Sequence, residues 1–117
     1  GFSALKDELQ DIVKIVSIFA RNTIGNKTVF SFDAEAHKLT LKAEVVDMGK
    51  NEASVDVAKV LGDSIETSYN ARFIQDMITS MTGEEIIYET NGVTSPGVFK
   101  DINDPTYLHV IMPMILE

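Results

Sequence analysis

The sequence of 117 residues contains no cysteine and no tryptophan, and it has only three prolines. The lack of cysteine excludes disulfide scaffolds, zinc sites built on thiolates and thiol nucleophiles. No apolar run approaches the roughly 20 residues that span a bilayer, and no signal peptide is visible. We therefore expect a cytoplasmic protein without a membrane segment.

Basic residues are also scarce. Ten Lys and Arg against 18 Asp and Glu give a formal net charge of −8. Because affinity for phosphates comes mainly from Lys and Arg, this balance disfavours a free nucleic-acid binder, and it disfavours adsorption to anionic membranes. The remaining composition, 44% hydrophobic and 24% charged, is typical of one globular domain over residues 1–117.

Two amphipathic segments predict helices, from about Lys6 to Arg21 and from about Ala71 to Thr82. Their buried stripes are predicted as Leu5, Leu9, Ile12, Val13, Val16 and Phe19, and as Phe73, Ile74, Met77, Ile78 and Met81. Ser3 or a neighbour is expected to cap the first helix, and Asn70 and Gly83 are expected to cap the second.

Alternating apolar and polar residues predict strands between and after the helices. They are Thr28–Phe32, Leu39–Val45, Ala53–Val60, Ser64–Tyr69, Ile86–Thr90, Val98–Lys100 and Thr106–Met112. The order of one helix, four strands, one helix and three strands suggests two similar halves, each a helix laid on a sheet. We therefore predict an α+β fold with mainly antiparallel sheets and both helices on one side.

Charge is distributed unevenly between these elements. The predicted helices are each neutral, so the predicted strands and loops carry the whole −8. An acidic surface keeps a protein soluble, and this is one interpretation. The other is a molecule that tolerates a polyanion only on its helical face.

Nothing in the sequence indicates catalysis or a cofactor. The only histidines, His37 and His109, fall in a predicted hairpin loop and a predicted strand. Asp101, Asn103 and Asp104 lie close together but lack the Gly and terminal Glu of a calcium loop. A small cofactor-free enzyme is therefore disfavoured, although a pocket enclosing His109 beside a carboxylate would revive it.

The C-terminal segment from Leu108 to Leu116 is strongly apolar. Pro113 cannot donate a ladder hydrogen bond and should end the last strand, which leaves Met112 and Met114 beside an irregular segment. Methionine is frequent at adaptable binding surfaces. Either this is a core strand with a frayed apolar end or it is a surface that binds peptides. A stand-alone acidic adaptor that binds a protein partner is a second functional possibility.

Three runs of residues are similar to one known family. They are Tyr69-Asn70-Ala71-Arg72-Phe73-Ile74, Val93-Thr94-Ser95-Pro96 and Tyr107-Leu108-His109-Val110-Ile111-Met112-Pro113-Met114. Together with Val16-Ser17-Ile18-Phe19-Ala20-Arg21, they resemble the C-terminal domain of the bacterial sliding clamp, the beta subunit of DNA polymerase III. The resemblance covers the chain from about Phe2 to Leu116.

The resemblance implies a noncatalytic processivity factor. Two chains of three similar domains form a ring around duplex DNA, with helices lining the hole and sheets outside. This chain would be the third domain, without the first two. It would meet DNA only in the full ring, and the cations expected to face the DNA are Lys6, Lys14, Arg21 and Arg72.

The resemblance also implies a groove for short peptides of polymerase, clamp-loader and repair proteins. The matching positions are Asn70, Phe73, Thr94, Ser95, Val110, Ile111, Met112, Pro113 and Met114. Ile115 departs from the family, which often has a basic residue there. The resemblance places the contact between the two chains of the ring at Ile18, Phe19 and Ala20, although Phe19 alone also fits a core position.

Overall fold

The computed structural model of this chain describes residues 1–21, 26–45 and 49–114. The elements follow the order β-α-β-β-β twice. The first half is β1 (Phe2–Leu5), α1 (Lys6–Ala20), β2 (Lys27–Asp33), β3 (Lys38–Val45) and β4 (Gly49–Asp56). The second half is β5 (Ile65–Asn70), α2 (Ala71–Ser80), β6 (Glu85–Glu89), β7 (Gly97–Asp101) and β8 (Asp104–Ile111).

The strands form two antiparallel sheets of four strands, in the orders β1-β6-β7-β8 and β4-β3-β2-β5. The first strand of each half therefore belongs to the sheet of the other half. This arrangement confirms the predicted α+β fold with two similar halves and antiparallel sheets.

Helix α1 buries the expected stripe from Leu9 to Val16, and Ala20 is also in the core. The predicted cap was wrong, because Leu5 occupies the N-cap position and no side chain caps the helix. Ser3 lies in β1 instead, where its hydroxyl donates to Glu85 at 2.7 Å. Leu5 is 54% exposed and so does not belong to the buried stripe.

Helix α2 begins as predicted. The Asn70 side chain accepts hydrogen bonds from the backbone N–H groups of Arg72 and Phe73. Gly83 was wrongly predicted as the C-terminal cap, because the helix ends at Ser80 and Met81 takes an extended conformation. Gly83 instead donates its N–H to the buried Asp101 carboxylate at 2.9 Å. Phe73 was also wrongly placed in the buried stripe and is 55% exposed.

The helices lie antiparallel and contact each other. The Lys6 ammonium at the start of α1 donates to the Met81 carbonyl oxygen at the end of α2. At the other end, Ser17 and Arg21 face Ala71 and Arg72 across a cleft. Both helices therefore form one layer, as predicted.

An aromatic cluster joins the inner faces of the two sheets. Its rings lie 4.9–6.3 Å apart between centroids and belong to Phe2, Phe30, Phe32, Tyr69, Tyr88 and Phe99. The Tyr69 and Tyr88 hydroxyls form a buried hydrogen bond of 2.7 Å at its centre. Tyr69 belongs to one sheet and Tyr88 to the other, so this bond links the two sheets.

One outer edge of each sheet is covered by the chain itself. Ser3 of β1 exchanges two backbone hydrogen bonds with Ala58, at 2.8 and 2.9 Å. Ser68 stands as many residues before α2 as Ser3 stands before α1. Its carbonyl oxygen accepts the Met114 N–H at 2.7 Å. The segments that follow β4 and β8 are therefore held in matching ways. No helix within the described ranges is long and apolar enough to cross a membrane.

Candidate functional site

The end of β8 exposes alternate apolar side chains. Val110 is 50% exposed and Met112 is 64% exposed, whereas Ile111 and Pro113 are buried. The strand ends at Ile111, as the position of Pro113 predicted. Two large apolar side chains therefore point to solvent while their neighbours are held in the protein.

The tail beyond β8 is tied to β5. The Met114 N–H donates to the Ser68 carbonyl oxygen at 2.7 Å, two residues before Asn70. The side-chain oxygen of Asn70 accepts from Arg72 at 2.9 Å and from Phe73 at 3.3 Å, so this oxygen caps α2. The exposed Phe73 ring stands on the first turn of that helix.

The loop between β6 and β7 reaches the same end of the molecule. The Thr67 hydroxyl of β5 donates to the Val93 carbonyl oxygen at 3.1 Å, and the Ser95 N–H donates to the Gly92 carbonyl oxygen at 3.1 Å. Pairing of Gly97 with Ile111 brings the end of this loop beside the end of β8.

These contacts bring the loop, the end of β8 and the end of β5 together at one corner, and Asn70 and Phe73 follow β5 at the start of α2. We call this corner the apolar corner: Asn70, Phe73, Thr94, Ser95, Val110, Ile111, Met112, Pro113 and Met114. Val93, in one of the runs similar to the family, was not among the predicted peptide-binding positions and is 53% exposed beside them. The available signal was an apolar residue directly after the Asn91-Gly92 turn. The departure at Ile115 lies outside the described residues.

Hollows lie in other parts of the described chain. One of about 640 Å³ is on the outer face of the β1-containing sheet, with Ile87, Val98 and Leu108 among its lining. Two lysines at this hollow are ion-paired, Lys59 with Glu85 at 3.3 Å and Lys100 with Glu89 at 2.5 Å. It adjoins the apolar corner because Val98 pairs with Val110 across the strands.

Two of the cations predicted to face DNA come together in the cleft between the helices. Arg21 and Arg72 line this cleft of about 490 Å³, and Asp76 lies in it as well. Lys14 is exposed on α1. Lys6 is half-buried and its ammonium is engaged by the Met81 carbonyl oxygen. The helical layer thus presents a mixed polar cleft with two guanidinium groups.

The predicted contact with a second chain is only partly exposed. Ile18 is 61% exposed, Phe19 is partly buried against the core, and Ala20 has no exposed surface. Ala20 therefore belongs to the core of this domain. Ile15, one turn before Ile18, is 49% exposed and was not among the residues predicted to contact a second chain. It lies outside the buried stripe of this amphipathic helix.

The two histidines, and the two carboxyl groups whose pKa is lowered, make contacts that belong to the fold. His37 takes a left-handed conformation in the β2–β3 turn. The ring of His109 stacks on Tyr107, whose hydroxyl lies 3.5 Å from Nδ1. Hydrogen bonds from Asn103 and Gly83 lower the pKa of Asp101, and the Ser3 hydroxyl lowers the pKa of Glu85. Within the described ranges no cluster of His, Asp or Glu has the geometry to hold a metal ion.

Comparisons with known proteins agree on one family. The family model described as DNA polymerase III beta subunit, C-terminal domain, matches residues 3–115. A beta sliding clamp from Synechococcus elongatus is 25% identical over 93 residues, which are 80% of this chain and 24% of that protein.

Solved structures show the same fold. The DNA polymerase III beta subunit from Thermotoga maritima superposes with a TM-score of 0.90 at 23% identity, over 98% of this chain and 30% of that one. A sliding clamp from Bartonella birtlesii bound to griselimycin gives a TM-score of 0.87 at 19% identity, over 98% and 30%. The chain thus spans about a quarter to a third of the length of these relatives.

Proposed function

This chain belongs to the family formed by the C-terminal domain of the DNA polymerase III beta chain, and from that premise we propose that it is the third domain of a bacterial sliding clamp. Two similar domains precede it in the proposed full chain, and two such chains form a ring around duplex DNA. The threefold greater length of the relatives supports this arrangement, because the chain covers 30% of the Thermotoga protein.

The proposed domain is a noncatalytic part of the replication machinery in the bacterial cytoplasm. It contributes one segment of the ring wall and tethers other proteins to DNA without changing the DNA chemically. Membership in the family favours this role over that of a stand-alone adaptor.

The helical layer is proposed to face the duplex. Arg21 and Arg72 at the cleft and the exposed Lys14 supply cations on this side, while Asp76 in the same cleft limits the positive charge. Phosphate contacts of this kind hold a duplex without reading its bases. Because each neutralised phosphate adds to the affinity, a small number of cations keeps the affinity for DNA low. A low affinity suits a protein that must slide along DNA.

The ring is proposed to close through the exposed part of α1. Ile15 and Ile18 lie one turn apart and are 49% and 61% exposed. Apolar side chains at this spacing form a small stripe that a second chain of the same kind can cover.

The apolar corner is proposed to bind short peptides containing Gln and apolar residues, which polymerase, clamp-loader and repair proteins carry. The observation that carries this proposal is the exposure of Val110 and Met112 on a backbone fixed by the buried Pro113 and the Met114–Ser68 hydrogen bond. An apolar floor with a few polar groups at its rim is the usual form of such a site. Griselimycin bound to the Bartonella clamp supports ligand binding in this family.

Titration of the isotope-labelled chain with such a peptide tests the proposal by chemical-shift mapping. We expect weak binding, because the preceding domain supplies the other side of the groove in the proposed ring. Shifts are expected at residues 93–95, 70–73 and 110–114. Met112→Lys should weaken the affinity by roughly tenfold, since it places a charge in an apolar contact.

Leu108→Lys is the matched control. Leu108 is 58% exposed on the same face of β8 but lies outside the apolar corner, so this variant should bind the peptide as the parent chain does. Shift changes confined to the opposite end, around the β2–β3 turn, would contradict the proposal. So would an equal loss of affinity in both variants.

A further inference from the structure

All the sulfur in this chain is in methionine. The sequence has five methionines and no cysteine, so thiol oxidation is excluded and thioether oxidation is the available sulfur chemistry. A peroxide must reach the sulfur atom, and the exposed fraction of each methionine therefore ranks its susceptibility.

The described methionines differ sharply in exposure. Met77 and Met81 are 0% and 2% exposed on and after α2, and Met114 is partly buried. Met112 is 64% exposed. Met48 lies outside the described residues. Of the methionines that the structure describes, Met112 is thus the one whose side chain is mostly open to solvent.

Met112 also stands where a change of polarity matters. It lies in the apolar corner, directly after the last residue of β8, and its neighbours Ile111 and Pro113 are both buried. The backbone beyond it is tied by the Met114–Ser68 hydrogen bond. Chemistry on the Met112 sulfur therefore alters the binding surface while the local fold stays in place.

We propose that Met112 is a reversible oxidation site that switches off peptide binding at the apolar corner; the switching rests on the proposed function. A peroxide transfers one oxygen atom to the Met112 sulfur, forming an S–O bond as the O–O bond breaks. The sulfur loses two electrons, and the peroxide is reduced to water or an alcohol.

The sulfoxide opposes binding because its polar oxygen is desolvated against an apolar ligand. The reverse step requires an external dithiol reductant, such as a methionine sulfoxide reductase uses. Two thiols form a disulfide while the oxygen leaves as water. This chain cannot supply those thiols, because it has no cysteine.

The first experiment needs no peptide. The folded chain is exposed to dilute hydrogen peroxide, and digestion with mass spectrometry reports oxidation at each methionine over time. We expect Met112 to be oxidised before Met114, with Met77 and Met81 last, while circular dichroism shows an intact fold. Oxidation of Met77 or Met81 at the rate of Met112 would overturn the assignment.

The second experiment measures peptide affinity before and after peroxide, in the parent chain and in Met112→Leu. We expect peroxide to weaken peptide affinity roughly tenfold in the parent chain, and we expect reduction to restore that affinity fully. In Met112→Leu the affinity after peroxide should equal the affinity of the same variant before peroxide. Equal weakening in both proteins would overturn the switch. No binding by the untreated parent would overturn the proposed function, and the switch with it, whereas the oxidation order would still decide the modification site.

Discussion

At the scale of single residues, the Tyr69–Tyr88 pair is the most constrained feature of the core. The hydroxyls lie 2.7 Å apart between the sheets. A Cβ atom at Gly97 would lie 2.5 Å from the Tyr69 hydroxyl oxygen, so only glycine leaves room for the pair. Burial raises the pKa of both tyrosines above the ordinary value of 10.0. The pair therefore keeps its protons to a more alkaline pH than exposed tyrosines do.

The losses of unfolding free energy in Tyr69→Phe and in Tyr88→Phe should add up to more than the loss in the double variant. Tyr69→Phe removes one hydrogen bond and leaves the Tyr88 hydroxyl without that partner, at a cost of about 1 kcal/mol in unfolding free energy. In Tyr69→Phe/Tyr88→Phe no hydroxyl of the pair is left behind, so the double variant should lose less than the sum of the singles. Urea unfolding measures all three.

The same variants carry a pH signature. The folded chain holds the tyrosine protons more tightly than the unfolded chain, so this contribution to stability is complete below about pH 10 and falls as the pH rises further. The double variant should lose less stability at alkaline pH than the parent. Tyr107→Phe removes a hydroxyl that bonds to the exposed Ser80 at 2.6 Å and is the control for loss of a tyrosine hydroxyl outside the buried pair. A strictly additive double variant would contradict the coupling.

At the scale of elements, local signals predicted the helices well and the strands less well. Helix α2 begins at the predicted residue because Asn70 is a strong N-cap, and α1 ends one residue before its prediction. Strand β1 was missed altogether. Its four residues run directly into α1, and they form a strand because they pair with β6, 80 or more residues away. No pattern in the local sequence predicts pairing with that partner.

Strand β4 was predicted four residues too late for a related reason. Its sequence is mostly polar and exposed, and the apolar Val57 and Val60 that drew the prediction lie in the following segment. The apolar corner shows the same limit. Its residues were predicted through the resemblance, but the contact of Met114 with Ser68 that holds the tail joins distant residues, and no local pattern contains it.

The two helix starts offer a matched pair of capping tests. Asn70→Ala should lower the unfolding free energy by about 1 kcal/mol, because it removes the acceptor for two N–H groups of α2. Leu5→Asp should raise it by roughly 0.5–1 kcal/mol, because the N-cap of α1 has extended backbone and no side-chain acceptor. Thermal unfolding of both variants tests the idea, which fails if Asn70→Ala has parent stability.

At the scale of the whole molecule, the charge distribution bears on the proposed contact with DNA. The chain carries a net charge of −8, while cations at the helical layer are few and accompanied by Asp76. Phosphate binding by so few cations falls steeply with salt. The geometry of a closed ring, rather than affinity, would keep such a protein on DNA.

The isolated chain should therefore bind free duplex DNA weakly at physiological salt, with a dissociation constant well above the micromolar range. Fluorescence anisotropy with a labelled duplex measures this. Any residual binding at low salt should fall in Arg21→Ala/Arg72→Ala and stay unchanged in the control Lys59→Ala, whose side chain lies away from the cleft and pairs with Glu85. Submicromolar binding by the parent chain would contradict the prediction.

The placement of β1 and β5 has a consequence for fragments of this domain that contain only one half. Either half alone would lack the outer strand that its sheet takes from the other half. Such a fragment would complete its sheet only by exchanging strands with a second copy of itself. Its stability would then depend on its concentration, whereas the intact chain supplies both exchanged strands itself.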